Sequence, residues 1–243
     1  IALGDNGGRW LPVRKPGLYA GEVFATLARS HGIILRPAKI IRHPPRGTVI
    51  ASHQSKPLID ILQSMLRYSN NLTAEMIGAS ASIRRTGSIT SLQTSAEVMN
   101  RWAMTRLGML YPALVDHSGL SGASRMSPDD MVRGLIHAGN NARLRPILRR
   151  FGLRDANGRP DNNHPVQVHA KTGTLNFVSG LAGYFTAPNG AEMAFAIFAA
   201  DTATRSGIPK ENRESPPGAK RWNRRAKGLQ QKLIEHWSAR FGA

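Results

Sequence analysis

The sequence predicts an α+β fold, in which an antiparallel sheet is flanked by helical clusters, and the last third of the chain carries the main evidence. Three segments there are typical of strands, at residues 166–170, 180–186 and 192–200. Pro188-Asn189-Gly190 lies between the last two segments and indicates a hairpin. The third segment is apolar without alternation, so we expect that strand to be covered on both faces.

Helical patterns surround these strands in the sequence. They precede the strands at residues 19–30, 57–66, 72–81 and 91–107, and again from Ser127-Pro128. A last pattern ends the chain and carries apolar residues spaced to pack on a sheet, namely Trp222, Ala226, Leu229, Leu233 and Trp237. Residues 47–52 are predicted as a short additional strand.

The chain is strongly basic, with 33 Lys and Arg against 15 Asp and Glu and a formal net charge of +18. Such a charge favours polyanionic neighbours: nucleic acid, acidic lipid or an anionic cell-wall polymer. Much of it lies in two clusters, which are Arg143, Arg145, Arg149, Arg150, Arg154 and Arg159, and Lys220, Arg221, Arg224, Arg225 and Lys227. Phe151 is the single aromatic residue within the first cluster, and neither cluster has a nucleic-acid motif, so nucleic acid is not an expected partner.

Other function classes are excluded by what the sequence lacks. The chain has no cysteine, which excludes a disulfide scaffold and a thiolate metal site. The eight histidines show no pairing at metal-ligand spacing, so no metal site is predicted. No apolar run is long enough to span a bilayer, and no glycine-rich phosphate loop is present.

The stretch Lys171-Thr172-Gly173 follows the first predicted strand and is the first candidate site. Side chains alternate along a strand, so Lys171 and Gly173 share one face and Thr172 takes the other. Gly173 has no side chain, which lets a ligand lie close to the backbone. A free strand edge beside a fixed positive charge suits an extended peptide that ends in a carboxylate.

A second candidate, Ser69-Asn70-Asn71, interrupts two helical patterns 171 − 69 = 102 residues earlier. Ser69 and Asn71 could project together into a cleft, or they could only cap a helix, since Ser and Asn are usual capping residues. Asp116-His117-Ser118 contains the residue types of a hydrolytic triad. Immediate neighbours cannot form that relay, because it needs side chains from separate places.

Together, Ser69-Asn70-Asn71 and Lys171-Thr172-Gly173 resemble the second and third active-site motifs of the penicillin-recognising serine enzymes. The chain is most similar to the D-alanyl-D-alanine carboxypeptidases/endopeptidases of the penicillin-binding-protein-4 type. Four further stretches carry this resemblance: residues 47–55, 68–75, 116–121 followed by Ser127-Pro128, and 171–184. The likeness runs from about Pro16 to the last strand.

Two features depart from that family pattern. His117 stands where the family usually has glycine. No Ser-x-x-Lys motif occurs, because Ser52 and Ser206 each have a lysine one place too far on, at Lys56 and Lys210. In the family, the nucleophilic serine and its base lysine lie upstream of a large insertion.

The resemblance therefore implies two regions. Residues 1–46 would be the end of an inserted accessory domain, and residues 47–243 the C-terminal part of a penicillin-binding, transpeptidase-like domain. This fold would be incomplete without upstream strands and a helix. The missing N-terminal part of the same protein is accordingly an expected partner.

The resemblance also implies a function. An upstream serine would attack the D-Ala-D-Ala amide of a peptidoglycan stem peptide, and water would then release the acyl-enzyme. Expected ligands are such peptides and β-lactams, with no metal or organic cofactor, and the expected location is periplasmic. The implied site consists of catalytic Ser69, Asn71 and Lys171 and substrate-binding Thr172, Gly173 and Thr174.

Each of these residues has an implied role. Ser69 would transfer a proton toward the leaving amine, and Asn71 would hold the acyl portion of the substrate. Lys171 would tune the electrostatics of Ser69 and attract the terminal carboxylate, to which Thr172 would donate a hydrogen bond. The backbone N–H of Thr174 would form half of the oxyanion hole.

Two alternatives remain open at this point. A serine β-lactamase on the same fold would deacylate penicillin rapidly, but the inserted segment implied by residues 2–46 argues against it. A basic, non-catalytic module that binds cell wall or nucleic acid would ignore β-lactams. Its affinity would fall steeply with salt.

We predict that residues 1–243 alone form no covalent adduct with penicillin, because they lack the Ser-x-x-Lys motif. Intact mass spectrometry after incubation with labelled penicillin measures this directly. A stable acyl adduct on any serine of the chain would contradict the prediction.

Overall fold

The computed structural model describes residues 13–41, 43, 47–139, 143–155, 157–212 and 214–242. It divides the chain into two units, Ile1–Gln54 and Ser55–Ala243. In the first unit, helix α1 spans Pro16–Ser30, and Gly21 lies so close to Ala38 that a side chain at residue 21 would collide with it. The assignment of residues 1–46 to an inserted domain stays a prediction, and the first twelve lie outside the described residues.

The strand predicted at residues 47–52 is wrong. Residues 47–57 form neither helix nor strand in the structure. A strand needs a neighbour to receive its backbone hydrogen bonds, and the described strands all pair among themselves, in the second unit.

Helices dominate the first half of the second unit. They are α2 (Leu58–Tyr68), α3 (Asn71–Thr86), α4 (Leu92–Leu107) and α5 (Pro128–Gly139). Helix α4 begins with a capping box between Ser91 and Thr94 and ends at Gly108, whose φ of 66° is left-handed. None of the helices in the described ranges is long and apolar enough to cross a membrane.

Within the described residues, four antiparallel strands form one sheet in the order β1-β2-β3-β4. They are β1 (Arg149–Arg150), β2 (Gln167–Leu175), β3 (Val178–Thr186) and β4 (Glu192–Ala200). The predicted α+β class and the hairpin are confirmed. Strand β2 runs farther than its alternating pattern indicated, because Lys171, Thr172 and Gly173 continue it opposite β3.

The two faces of the sheet carry two apolar clusters. On one face, Val168, Ala170 and Phe195 pack with Ile234 of the long C-terminal helix, which spans Ala219–Phe241. On the other face, Tyr184 packs with Leu135 of α5, and Leu66 of α2 packs against them. Lys171 pairs with Ala182 and therefore faces this second cluster, on the side of α2.

The C-terminal helix, which we number α6, packs on the sheet through most of the predicted apolar residues, and Leu229 is the exception. Leu229 is 51% exposed, whereas Gln230 is 2% exposed. The buried stripe runs through Ala226, Gln230 and Ile234, four residues apart. The Gln230 amide is satisfied there, because it donates to the carbonyl and the hydroxyl of Ser179 on β3.

Asp130 fixes the segment between α4 and α5. Its carboxylate is 1% exposed and accepts the backbone N–H groups of Leu110 at 2.5 Å and Tyr111 at 3.2 Å. Burial alone would raise the pKa of Asp130, but hydrogen bonds from Leu110, Tyr111 and Ser127 outweigh it and hold the pKa below its usual range.

We predict that Asp130→Asn lowers the free energy of unfolding by roughly 1–3 kcal/mol, because it weakens two buried charge-assisted hydrogen bonds while keeping the side-chain shape. Denaturant unfolding measures this loss. The neighbouring variant Asp129→Asn is the matched control. It removes only an exposed ion pair with Arg133 and should change little. Equal losses in the two variants would contradict the assigned role of Asp130.

Candidate active site

A direct side-chain contact joins the two motifs. The Lys171 ammonium donates to Ser69 Oγ at 2.5 Å, across 102 residues of sequence. The same ammonium donates to the carbonyl oxygen of Thr172, also at 2.5 Å. Because Lys171 is the donor to Ser69, the proton of the Ser69 hydroxyl remains available for another group.

The backbone between α2 and α3 explains how Ser69 is presented. Ser69 ends α2 in the left-handed conformation, with φ at 52° and ψ at 48°. Asn70 then caps α3, since its Oδ1 accepts the N–H of Thr73 at 2.9 Å. The capping alternative therefore applies to Asn70, and the Ser69 hydroxyl is turned instead toward the sheet.

Asn71 is the first residue of α3 and is exposed. Its side chain makes no hydrogen bond to any residue in the described ranges. Its amide therefore keeps both its donors and its acceptor for a ligand. The structure thus joins Ser69 and Lys171 directly, and it leaves Asn71 two residues from Ser69 with its polar atoms unused.

The outer edge of β2 is open beyond Ala170. Strand β1 pairs only with His169 and Ala170, and no other described strand lies on that side of β2. The carbonyl of Val168 accepts the N–H of Phe151 next to β1, so it points to the outer edge. Backbone groups alternate in direction along a strand, and those of Thr172 and Thr174 therefore point outward as well.

Two glycines in this sheet have different reasons to be glycine. A side chain at Gly183 of β3 would lie 2.2 Å from the carbonyl oxygen of His169, so that position cannot hold one. A side chain at Gly173 would meet nothing within 4 Å. Packing within the described chain does not require Gly173, and the space above it is open to a ligand.

Lys171 lies in an unusual electrostatic position. It is half-buried, and none of the ion pairs in the described part of the chain involves it. Burial lowers the pKa of Lys171 from the ordinary value of 10.5. The cleft beside it is lined by Arg67, Arg149 and Arg150 as well, and its lining contains no acidic residue. These charges favour an anionic ligand.

The loop at residues 116–124 is held to α3 by a residue that sequence reasoning missed. The Glu75 carboxylate accepts the backbone N–H of His117 at 3.1 Å and of Ser118 at 2.9 Å. Glu75 lies one helical turn after Asn71. Because 42 residues separate it from His117, no local sequence signal indicates this contact.

Asp116 closes the same loop from within. Its carboxylate accepts hydrogen bonds from Ser124 Oγ at 2.6 Å and from the N–H of Ser121 at 2.7 Å. Burial would raise the pKa of Asp116, but hydrogen bonds, from Ser124 first, outweigh it and lower the pKa. The Ser118 hydroxyl donates to Asp116, whereas the His117 ring contacts Ser95. The three neighbours therefore form no catalytic relay.

The arrangement combines the Lys171 ammonium, which has no carboxylate partner among the described residues, with the exposed hydroxyl of Ser69 and an open strand edge. An extended peptide could pair with the outward backbone groups of Thr172 and Thr174, and its carboxylate would meet the charge of Lys171. These are the requirements for positioning a peptide beside a proton-donating hydroxyl.

Comparison with known proteins places this site in a family. The D-Ala-D-Ala carboxypeptidase 3 (S13) family matches residues 4–215, and the chain belongs to it. The penicillin-binding-protein-4-type resemblance inferred from the two motifs is thereby confirmed.

Two curated relatives illustrate the similarity. The chain is 27% identical over 200 residues to the D-alanyl-D-alanine carboxypeptidase DacB of Haemophilus influenzae, which covers 76% of the chain and 41% of that protein. It is 31% identical over 202 residues to a D-alanyl-D-alanine carboxypeptidase of an Actinomadura species, which covers 76% of the chain and 37% of that protein. The chain thus spans less than half the length of these relatives.

A solved structure has the same fold. Penicillin binding protein 4 of Haemophilus influenzae, in complex with a β-lactam, superposes with a TM-score of 0.69 at 23% identity. The match covers 92% of this chain and 52% of that one.

We predict that the Lys171 side chain titrates below 10.5, because burial disfavours its charged form. The unfolded chain then binds more protons between the lowered value and 10.5, so the contribution of this residue to stability rises with pH in that window. A carbon-13 NMR titration of lysine side chains, with Lys171→Met to assign the signal, measures the pKa. A value at or above 10.5 would contradict the prediction.

Proposed function

We propose that the chain contributes the Ser-x-Asn and Lys-Thr-Gly sides of the active site in a serine-type D-Ala-D-Ala carboxypeptidase/endopeptidase. The observation that carries this proposal is the contact between Lys171 and Ser69 at the open edge of β2. Membership in the S13 family supports the same activity. Residues 47–243 would form the C-terminal part of the penicillin-binding domain.

In the proposed reaction, a serine outside this chain attacks the carbonyl of the penultimate D-Ala. The C–N bond to the terminal D-Ala breaks, and the leaving amine takes a proton. The O–H proton of the attacking serine would pass to its base lysine, which also lies outside this chain. Ser69 would supply the proton to the amine, since Lys171 donates to its oxygen and leaves its O–H free, and Ser69 would regain a proton from that base lysine. Water then hydrolyses the acyl-enzyme and restores the nucleophile.

The strand edge would hold the peptide during this reaction. The outward N–H of Thr174 is available for the oxyanion, the open space above Gly173 admits the substrate backbone, and the exposed Thr172 hydroxyl can donate to the terminal carboxylate. Asn71 would hold the acyl portion through its unused amide. Lys171, with no carboxylate partner among the described residues, would supply the counter-charge.

Substrates would be peptidoglycan stem peptides ending in D-Ala-D-Ala, and β-lactams would acylate the same serine. Such substrates lie outside the cytoplasmic membrane, so we propose a periplasmic location. The Haemophilus influenzae protein that shares the fold has been solved in complex with a β-lactam, which supports the proposal that β-lactams bind here.

We predict that Thr172→Val in the full-length protein lowers kcat/KM for a D-Ala-D-Ala peptide about 10- to 100-fold. This change keeps the side-chain shape but deletes one charge-assisted hydrogen bond, for which roughly 1.5–3 kcal/mol is expected. Steady-state hydrolysis measures the loss.

The same peptide with its terminal carboxylate amidated is the matched control. That ligand already lacks the charge, so Thr172→Val should reduce its hydrolysis much less, as in a double-mutant cycle. Equal losses on both peptides would show that Thr172 supports the strand and does not recognise the carboxylate. Rapid hydrolysis of the penicilloyl-enzyme by the wild-type protein would favour a β-lactamase instead.

A further inference from the structure

The imidazole of His117 is seated directly on helix α3. A side chain added at Gly78, inside that helix, would lie 2.1 Å from Cγ of His117 and 2.2 Å from its Nδ1. Glycine in a helix interior is destabilising relative to alanine. The glycine at this position is therefore what makes room for the ring.

On its other side, the His117 ring forms a hydrogen bond with a buried hydroxyl group. His117 Nε2 lies 2.8 Å from Ser95 Oγ, which donates to Ser82 Oγ at 2.7 Å, and Ser82 Oγ donates to the carbonyl of Ser95 at 3.2 Å. Ser95 and Ser82 are both buried. The other ring nitrogen, Nδ1, lies 3.2 Å from Sδ of Met99 on α4, and the tautomer of the ring decides which partner donates in its hydrogen bond with Ser95.

We call the place where the His117 ring packs, between Gly78 and Ser95, the seat. Gly78 lies on the same face of α3 as Asn71 of the proposed catalytic motif. Asn71, Glu75, Gly78 and Ser82 follow one another at spacings of four, three and four residues, which places them in one stripe along the helix. Glu75 accepts two backbone N–H groups of the loop that carries His117. The loop is thus fastened to this stripe at its backbone and at its side chain, one to two turns from Asn71.

We propose that His117 is a positioning residue for the Ser69–Asn71 motif. By joining the loop, α3 and α4 through Gly78 and Ser95, it fixes the rotation of the first turns of α3. That rotation decides where the Asn71 amide points relative to the β2 edge. A glycine at residue 117 could make neither contact. The effect of His117 on catalysis rests on the proposed function, whereas the packing of its ring against Gly78 and Ser95 does not.

The seat is tested by a double-mutant cycle in the full-length protein. Gly78→Ala should lower Tm in the wild-type background, because the new methyl group overlaps the ring. In a His117→Gly background the same change should raise Tm or leave it unchanged, since the space is then empty and alanine favours the helix. Equal lowering of Tm in both backgrounds would overturn the seat.

Steady-state kinetics of peptide hydrolysis tests the positioning role. The concentration of active enzyme is determined by titration with labelled penicillin, so that kcat is expressed per active molecule. His117→Leu keeps most of the bulk but cannot form a hydrogen bond with Ser95, and it should lower kcat for a D-Ala-D-Ala peptide about tenfold or more with KM changed little. His117→Gln carries a donor and an acceptor of similar reach, so it can pair with Ser95 in either direction and should recover most of the rate. His117→Asn is too short to reach Ser95 and serves as the second loss variant.

Each outcome decides a different point. An unchanged kcat in His117→Leu or His117→Asn, measured per active molecule, would overturn the positioning role. A loss of kcat that His117→Gln does not recover would do the same, because it would separate the rate from the hydrogen bond. If the wild-type protein neither reacts with penicillin nor cleaves the peptide, the proposed function fails, whereas the Tm cycle still decides whether the ring is seated.

Discussion

The contact between Lys171 and Ser69 is the interaction on which the described site depends, because it joins a sheet edge to a helix junction. The register of β2 with β3 fixes Lys171 on the face toward α2, and the close approach of Gly183 to the His169 carbonyl locks that register. Leu66, near the end of α2, packs in the same apolar cluster as Tyr184 of β3. The two halves of the site are therefore held by packing that is independent of any ligand.

Strain and capping are divided between neighbouring residues at the α2–α3 junction. A left-handed conformation at a residue with a side chain costs about 1–2 kcal/mol, and Ser69 adopts it. Asn70 offsets part of that cost by capping α3. Because the cap is Asn70, the flanking Ser69 and Asn71 keep their polar atoms for the cleft. The junction thus presents the side chains of Ser69 and Asn71 to the cleft, while Asn70 stabilises the backbone between them.

The sequence predicts most helices and strands, because they follow from the local spacing of apolar residues. It predicts few of the side-chain contacts between residues that are distant in the chain. The strand alternation of Lys171 and Gly173 follows from the local pattern, whereas the association of Lys171 with Ser69 is implied only by the family resemblance. Gln230 lies outside the predicted apolar pattern of the last helix and is nevertheless buried, since Ser179 of a distant strand satisfies its amide. Residues 47–52 have strand-like composition, but no described strand pairs with them. Glu75 and the ring of His117 act through partners 42 and 22 residues away.

The open edge of β2 has a consequence for how the protein behaves at high concentration. Unpaired backbone groups on an edge strand are a template for any other strand, including the same edge of a second copy. Two copies joined along this short edge would bring two Lys171 ammonium groups into one ladder, beside Arg149 and Arg150 of each chain. Like charges at such close range oppose pairing. The charges suited to a carboxylate would thus also discourage self-association and leave the edge free.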